Sequence, residues 1–253
     1  MIHDIQKANA WKRISAYIFD VILLITVAVG VAFLLSTALR YDEKTAQREA
    51  LRTDYEERYG VSFDIDQESY DQLPEEERKH FDDAYAAFAS DSEVNRVDIL
   101  ILNLSLVITV FSILAAFVLL ELLLPLKLGH GRTLGKKIFG LGVMRADSVR
   151  ISTFQLFVRT VFGKYTLETM IPIFLIFLFL FNIMPFACLV GLMLLTLVQI
   201  ACLISSTHRA AIHDMISGTV VVDFASQLIF DTPQEMVEYK KSLHAERVYD
   251  ERS

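Results

Sequence analysis

Two charged residues at the start of a long apolar segment are the first candidates for chemistry in this sequence. Arg13 begins the segment, and Asp20 lies seven residues further on, inside an apolar run that continues to Leu39. Seven residues make about two turns of an α-helix, so both side chains share one face, about 10 Å apart along the axis. They are too far apart for a direct ion pair, so each needs a partner from a later segment.

The depth of Asp20 in the apolar run requires that its charge be compensated. An ionised carboxylate that faces lipid costs at least about 2.5 kcal/mol, so Asp20 must face other helices, a cation or water. We expect an arginine to pair with Asp20 and an acid to pair with Arg13, in one charge cluster near the inner leaflet. The candidate partners are Arg159 and Arg209 for Asp20, and Glu121 and Asp214 for Arg13.

Two roles are open for this predicted cluster. The ion pairs could be structural and fix how the helices and the segment after the last helix dock. Alternatively, Asp20 could exchange a proton for a cation, with its pKa raised by desolvation and lowered by a neighbouring arginine. In that hypothesis Arg13 or Arg159 acts as the gate and Asp214 is the cytoplasmic counterpart.

The cysteines and histidines form no pattern that is typical of a catalytic or metal site. Cys188 and Cys202 both lie inside the last apolar run, which indicates packing residues. His208 and His213 are five residues apart, not the four that would stack two ligands on a helix face. Because no set of a nucleophile and a base appears either, we expect no enzyme, no cofactor and no metal.

An acidic stretch resembles an EF-hand loop only in part. Ser69 occupies the position that requires glycine, and Pro74 lies inside the loop, so a solvated acidic turn is favoured over a calcium site. The acidic residues at loop positions 1, 3, 5 and 12 are Asp64, Asp66, Glu68 and Glu75.

A glycine-rich stretch with two lysines, residues 129–137, is superficially similar to a phosphate-binding loop. Its glycine spacing differs from the Walker pattern, and Lys137 stands where that pattern has a hydroxyl. We predict instead that Lys136 and Lys137 bind anionic lipid headgroups.

The apolar residues are concentrated in runs that are long enough to cross a membrane. Hydrophobic residues make up 53% of the 253, and the mean hydropathy is +0.41. Residues 14–39 and 97–124 each reach the roughly 20 that a helical span needs. Residues 167–205 would form a helix of about 58 Å, roughly twice the hydrocarbon thickness. A break near Asn182 and Pro185 gives a hairpin and four spans; one bent span, and thus three in total, is the alternative.

The segments between the spans differ in charge. Residues 40–96 hold 17 acidic and 8 basic side chains, whereas residues 125–166 are the most basic stretch. The positive-inside rule therefore predicts cytoplasmic termini and an extracytoplasmic acidic segment. Helices are expected in the acidic segment, at the interface over residues 154–162, and in the soluble tail over residues 233–250.

The predicted fold class is an all-α integral membrane protein, a bundle of four transmembrane helices with an acidic helical extracytoplasmic insertion and a C-terminal soluble helix. The predicted organisation is an N-terminus with the first span (1–39), the acidic segment (40–96), the second span (97–124), a basic cytoplasmic loop with an interfacial helix (125–166), a transmembrane hairpin (167–206), and a cytoplasmic segment with the C-terminal helix (207–253).

Three pieces of the sequence together resemble the RDD family of small membrane proteins, named for one arginine and two aspartates. They are Arg13 with Asp20, the loop with Thr-Leu-Gly-Lys-Lys and Phe-Gly-Leu-Gly-Val that leads to Arg159, and the segment His-Asp-Met-Ile-Ser-Gly-Thr-Val-Val from His213. The resemblance implies transport, with cation/proton exchange for some members. The acidic insertion between the first two helices is long, and the C-terminal tail has no counterpart in the family pattern.

We therefore expect a membrane protein that transports an unidentified ligand or exchanges a cation for protons. The alternative is a non-transporting membrane anchor, or an interaction or assembly module that recruits partners through the acidic segment and the C-terminal helix. The expected partners are the bilayer, anionic headgroups at the basic loop, and further copies or other proteins, but no nucleic acid. The expected location is the bacterial cytoplasmic membrane.

Overall fold

Helices dominate the secondary structure of the chain. The computed structural model describes residues 8–180, 182, 184–205 and 211–250. In chain order the elements are α1 (Ala10–Ala38), α2 (Tyr41–Tyr59), α3 (Gln67–Gln72), α4 (Glu75–Ser90), α5 (Ser92–Leu128), α6 (Leu134–Ile138), β1 (Leu141–Arg145), α7 (Thr153–Leu180), α8 (Pro185–Ser205), α9 (Ile212–Ser217), β2 (Thr219–Asp223) and α10 (Pro233–Asp250).

Four helices in the described residues are long and apolar enough to cross a membrane, namely α1, α5, α7 and α8. This count confirms four spans in place of the three-span alternative. Between α7 and α8, Asn182 and Met184 have positive φ angles of 56° and 52°. The chain reverses at that point because left-handed residues cannot continue a helix, and Pro185 then opens α8.

The third span begins earlier than the sequence predicted. Instead of an interfacial helix over residues 154–162 and a span from Leu167, one helix runs from Thr153 to Leu180. Ser152 caps its start in a capping box with Gln155. The prediction was wrong because it placed Arg159 and Lys164 in a loop. Both side chains are instead buried on this helix, and each forms an ion pair with an acid of another element.

A small antiparallel sheet corrects the all-α prediction. Strand β1 pairs with β2 in the register Leu141 to Asp223 through Arg145 to Thr219. Val143 and Val222 are fully buried in the sheet, which explains the concentration of valines in two short stretches far apart in the sequence. Left-handed glycines precede both strands, Gly140 with φ 68° and Gly218 with φ 63°.

The chain divides into two compact units. One comprises Ala28–Ile113, and the other comprises Met1–Val27 with Leu114–Ser253. In the first unit, α2 and α4 pack through an aromatic cluster around Tyr55 and Phe88. The hydroxyl of Tyr55 donates a hydrogen bond of 2.7 Å to Asp91, just before α5. Asp66, an acid of the EF-hand-like stretch, instead caps α3 by accepting the amide of Ser69.

The end of α5 departs from regular α-helical geometry at Pro125. Residues Val118–Leu123 are π-helical, immediately before this proline. Proline has no N–H to donate to the carbonyl four residues earlier, which here belongs to Glu121. The hydroxyl of Thr160 in α7 donates to that carbonyl at 2.9 Å. This hydrogen bond ties α5 to α7.

Candidate functional site

The carboxylate of Asp20 in α1 accepts hydrogen bonds from residues at the start of the short helix α6. One carboxylate oxygen accepts the amide of Gly135 at 2.8 Å, and the other accepts the hydroxyl of Thr133 at 2.5 Å. The ammonium of Lys136 lies 3.7 Å from the same carboxylate, and both side chains are only 10% exposed. The charge of Asp20 is thus compensated by one cation and two hydrogen-bond donors.

A glycine is required where α6 meets α1. A Cβ on Gly135 would overlap the carbonyl oxygen of Ala16 and lie 2.9 Å from a carboxylate oxygen of Asp20. Thr133 caps α6 by accepting the amide of Lys136, so its hydroxyl serves the cap and Asp20 at once. Through these contacts, the Thr-Leu-Gly-Lys stretch packs against α1 and binds Asp20.

Arg159 of α7 and Asp214 of α9 form the most deeply buried ion pair of the site. A guanidinium nitrogen of Arg159 lies 2.6 Å from Asp214, and the two side chains are 3% and 1% exposed. Thr219 donates a further hydrogen bond to Asp214 at 3.2 Å. Burial alone would raise the pKa of Asp214, but the guanidinium groups of Arg159 and Arg13 outweigh burial and hold it at about 2.

His213 links the carboxylates of Glu168 and Asp214. Its Nδ1 lies 2.8 and 2.9 Å from the two oxygens of Glu168, and its backbone amide donates to the same carboxylate at 3.1 Å. Its Nε2 lies 3.6 Å from Asp214. Burial lowers the pKa of His213 below its usual range. The neutral imidazole donates from Nδ1 to Glu168, which leaves the lone pair of Nε2 toward Asp214.

The close approach of α9 to α7 depends on a second glycine. A Cβ on Gly163 would lie 2.5 Å from Cβ of His213 and 2.7 Å from its Cα. Because no real Cβ contact is that short, only glycine admits α9 at this distance. The contact holds the linked pair of His213 and Asp214 against α7.

A third buried pair joins α5 to α7. The ammonium of Lys164 lies 2.6 Å from the carboxylate of Glu121, and both side chains are about nine-tenths buried. Burial and the neighbouring Lys164 lower the pKa of Lys136 to about 8, against the raising effect of Glu121. The three pairs are therefore electrostatically coupled as one cluster.

A π-helical segment within α7, Val158–Met170, brings its three charged residues to the site together. At about 100° per residue, an α-helix would put Arg159 and Glu168 on opposite faces, because nine residues turn through about 900°. In a π-helix with i to i+5 bonding, residues four and five apart are neighbours along one face. Lys164 lies five residues after Arg159 and four before Glu168, so all three share that face.

The cluster is balanced in formal charge. Its cations number four and its carboxylates number four, with His213 neutral between two of them. Such a set avoids the large free-energy penalty of an uncompensated charge in an apolar setting. The cations are Arg13, Lys136, Arg159 and Lys164, and the carboxylates are Asp20, Glu121, Glu168 and Asp214.

The structure brings the predicted cluster together but changes its pairing. Asp20 is paired with Lys136 and not with Arg159, which binds Asp214 instead. The positive charge of Arg13 lowers the pKa of Asp214, in line with one of its two expected partners. The other expected partner, Glu121, is paired with Lys164. Arg209 lies outside the described residues.

The two lysines predicted to bind headgroups differ in their surroundings. Lys136 is buried against Asp20 and Thr133, which corrects its assignment as an exposed headgroup ligand. Its ammonium contacts groups of the protein itself. Lys137 is exposed, and its binding to headgroups stays a prediction.

Sequence reasoning missed three members of the site. Glu168 falls within a predicted apolar span and Lys164 within the predicted basic loop. His213 was rejected as a metal ligand and noted as part of the family motif, but was not placed in the charge cluster. The available signal was Glu168 itself, because an acid inside an apolar span requires a partner. Its partner, the imidazole of His213, follows the last span, so sequence distance concealed the pair.

The cluster encloses no visible ligand space in the described part of the chain. The gap beside Asp20, between α1, α5 and α6, has no room for a water molecule. Among the same residues, no group of three or more His, Cys, Asp or Glu side chains is placed to hold a metal ion.

Four apolar helices with a buried cluster of balanced charge define an integral membrane protein. The RDD family model matches residues 7–218, and the chain belongs to this family. The match includes every residue of the cluster described above. No curated protein and no solved structure matches the chain.

Proposed function

We propose that the protein is a proton-coupled transporter that exchanges a cation for protons, and that the linked side chains of Glu168, His213 and Asp214 handle the proton. The observation that carries this proposal is the position of His213, whose two ring nitrogens face two different carboxylates. An imidazole in that position can take up a proton at one nitrogen and release one from the other. A carboxylate released from its partner can then bind a cation.

Asp20 is assigned a positioning role in this proposal. Two hydrogen-bond donors and Lys136 already satisfy its carboxylate, and no water-sized space adjoins it. A coupling carboxylate must exchange its partners during the cycle, and this one is held by contacts that also fix α6. We therefore move the proton-coupling role from Asp20 to Glu168 and Asp214.

The proton would enter this network at Nε2 of His213. In the neutral ring that atom carries a lone pair and lies 3.6 Å from Asp214. Protonation creates an imidazolium between two carboxylates, which then competes with Arg159 for Asp214. Weakening of the buried pair of Arg159 and Asp214 would free α9 to move against α7, and this movement supplies the conformational step that exchange requires.

Proton flux into proteoliposomes tests the proposal. Full-length protein is reconstituted with a pH-sensitive dye inside, and gradients of Na⁺, K⁺ or Li⁺ are imposed in turn. We expect cation-dependent proton flux in the wild type and a decrease of at least about tenfold in His213→Gln and Glu168→Gln. Glu57→Gln, which removes an exposed acid outside the cluster, is the matched control and should retain flux.

Two results would contradict this assignment. The first is the absence of flux in wild-type vesicles for all three cations, although the reconstituted protein is folded and monodisperse. The second is unchanged flux in His213→Gln, because the exchange requires that imidazole. Asp20→Asn separates the two roles: as a positioning residue, it should lower the amount of folded protein more than the flux per folded molecule.

A non-transporting anchor or assembly module is the second candidate function. The sealed surroundings of Asp20 favour it, since satisfied buried pairs can fix a fold without moving anything. The acidic segment and α10 would then recruit other proteins or further copies. Purification in mild detergent tests this candidate: deletion of residues 42–94 should remove an associated protein, and an unchanged set of associated proteins counts against it.

We further propose that both termini are cytoplasmic and that the bilayer is the bacterial cytoplasmic membrane. The excess of basic residues in 125–166 and of acidic residues in 40–96 supports this orientation. Single cysteines are placed at Lys137 and at Glu57 in a variant that lacks the two natural cysteines. With an impermeant thiol reagent, the cysteine at position 57 should react in intact cells, and the cysteine at position 137 should react only after the membrane is permeabilised. Labelling of both from the same side would overturn the orientation.

A further inference from the structure

The unit that comprises Ala28–Ile113 contains an open cavity of about 430 Å³. It lies between the end of α2, the segment that follows, and the first turns of α4. This volume is within the range of sites that hold small organic molecules. The cavity is formed entirely by residues of this one unit, and none of them belongs to the charge cluster described above.

The cavity has an apolar floor. Its apolar side chains are half-buried, so they retain contact with water around the cavity. A ligand that covers this apolar surface removes it from water, and this favours binding. The apolar floor consists of Val61, Ile65, Leu73 and Phe81.

The rim of the cavity is acidic. Glu76 and Glu77 lie on it, one turn before His80 and Phe81 of the same helix. The lining residues, all within the described part of the chain, include no lysine or arginine. The nearest arginine in sequence, Arg78, is already held by the backbone carbonyls of Asp71 and Leu73. Within the described residues, the cavity is therefore lined by two carboxylates and by no lysine or arginine.

We propose that this cavity binds a small organic cation, that is, an amine or guanidinium carried on an apolar body. The apolar body would cover the floor, and the cationic group would lie between the carboxylates of Glu76 and Glu77. His80 supports the shape of the site, because its Nε2 bonds the backbone carbonyl of Tyr59 at 2.8 Å and joins α4 to α2. Binding at this cavity does not depend on the proposed exchange of a cation for protons.

Binding of one charge series to full-length protein in lipid nanodiscs tests this proposal. The probes are 4-phenylbutylammonium, the neutral 4-phenylbutanol and the anionic 4-phenylbutyrate, measured by equilibrium dialysis with binding to empty nanodiscs subtracted. We expect saturable binding of the ammonium at one site per chain and no saturable binding of the anion. Added NaCl should weaken the binding, because the carboxylates are exposed.

Two double variants with the same change in net charge distinguish binding at the cavity from nonspecific electrostatic attraction of the cation to the acidic segment. Glu76→Gln with Glu77→Gln should weaken binding of the ammonium about tenfold. Glu43→Gln with Glu49→Gln, in exposed positions of α2 outside the cavity, should change it less than about twofold. The proposal is overturned by no saturable binding in the wild type, by equal losses in both double variants, or by equal affinity for the anion.

Discussion

Arg159 donates to Asp214 across 2.6 Å, and water reaches almost none of either side chain. One partner lies inside the third span and the other follows the fourth, 55 positions later in the sequence. The pair therefore fixes the segment after the last span against a helix within the membrane region. Its energetics differ from those of a surface pair, since each charge depends on the other for compensation.

Loss of one partner of this pair should strongly destabilise the protein. Asp214→Asn leaves the guanidinium of Arg159 buried without its counter-charge, which costs about 3–5 kcal/mol. The measurement is the free energy of unfolding in mixed detergent micelles titrated with dodecyl sulfate. Replacement of both partners by leucine should destabilise the protein less than Asp214→Asn alone, since no buried charge remains unpaired.

The control for that prediction is a partly exposed pair in the same unit. Asp223→Asn breaks its contact with Lys12, 2.8 Å away, and should cost less than about 1 kcal/mol. If Asp214→Asn costs no more than Asp223→Asn, the buried pair does not have the stabilising role assigned to it.

The two close-contact glycines should not tolerate a methyl group. Gly135→Ala and Gly163→Ala each force a Cβ into atoms of another element, so each should destabilise the protein by about 1–3 kcal/mol. Gly30→Ala is the matched control, because nothing lies within 4 Å of its Cβ position. Alanine inside that helix should stabilise it by about 0.5–1 kcal/mol. Thermal unfolding in detergent distinguishes these signs, and equal shifts in all three variants would refute the contacts.

Removal of the charge should destabilise the protein at one of two adjacent lysines and leave its stability almost unchanged at the other. Lys136→Met leaves Asp20 buried without its cation, and we expect a loss on the order of 3 kcal/mol in unfolding free energy. Lys137→Met removes an exposed charge and should change stability by less than about 0.5 kcal/mol. Lys137→Met should instead weaken retention of anionic lipid in native mass spectra. The assignments fail if the two variants have the same stability.

Acidification should destabilise the protein partly through His213. Burial lowers the pKa of its folded form below that of the unfolded chain, about 6.5, so the unfolded state binds more protons between those values. The contribution of His213 to the free energy of unfolding is therefore fully present above about pH 6.5 and decreases as the pH falls below that value. The groups that face this imidazole are Glu168, Asp214, Arg159 and Lys164.

The difference between wild type and His213→Gln isolates this contribution. Both proteins keep the acids of the cluster, whereas only the wild type has the titrating imidazole. The wild type should therefore show the steeper decrease in unfolding free energy between pH 7.5 and 5. Identical slopes would mean that His213 has the same proton affinity in the folded and unfolded protein.

Sequence alone determined the features that follow from the solvent preference of each residue. Long apolar runs must be helical spans, because lipid offers no hydrogen-bond partners to the backbone. Charged residues at the ends of those runs must meet one another, because each is costly when alone. That reasoning predicted the membrane class, the spans that became α1 and α5, the break at Asn182, and the place of Asp20 and Asp214 in one site; the family resemblance came from sequence motifs.

Tertiary structure alone decided which charges pair. Arg159, Lys136 and Lys164 are all cations near carboxylates, and sequence spacing ranks no pairing above another. The π-helical segment of α7 turns Arg159, Lys164 and Glu168 to one face. The tight contact at Gly163 brings α9 to α7, and the tight contact at Gly135 brings α6 to Asp20 of α1. Pairing depends on distances of a few ångströms between segments remote in sequence, and only the assembled fold fixes those distances.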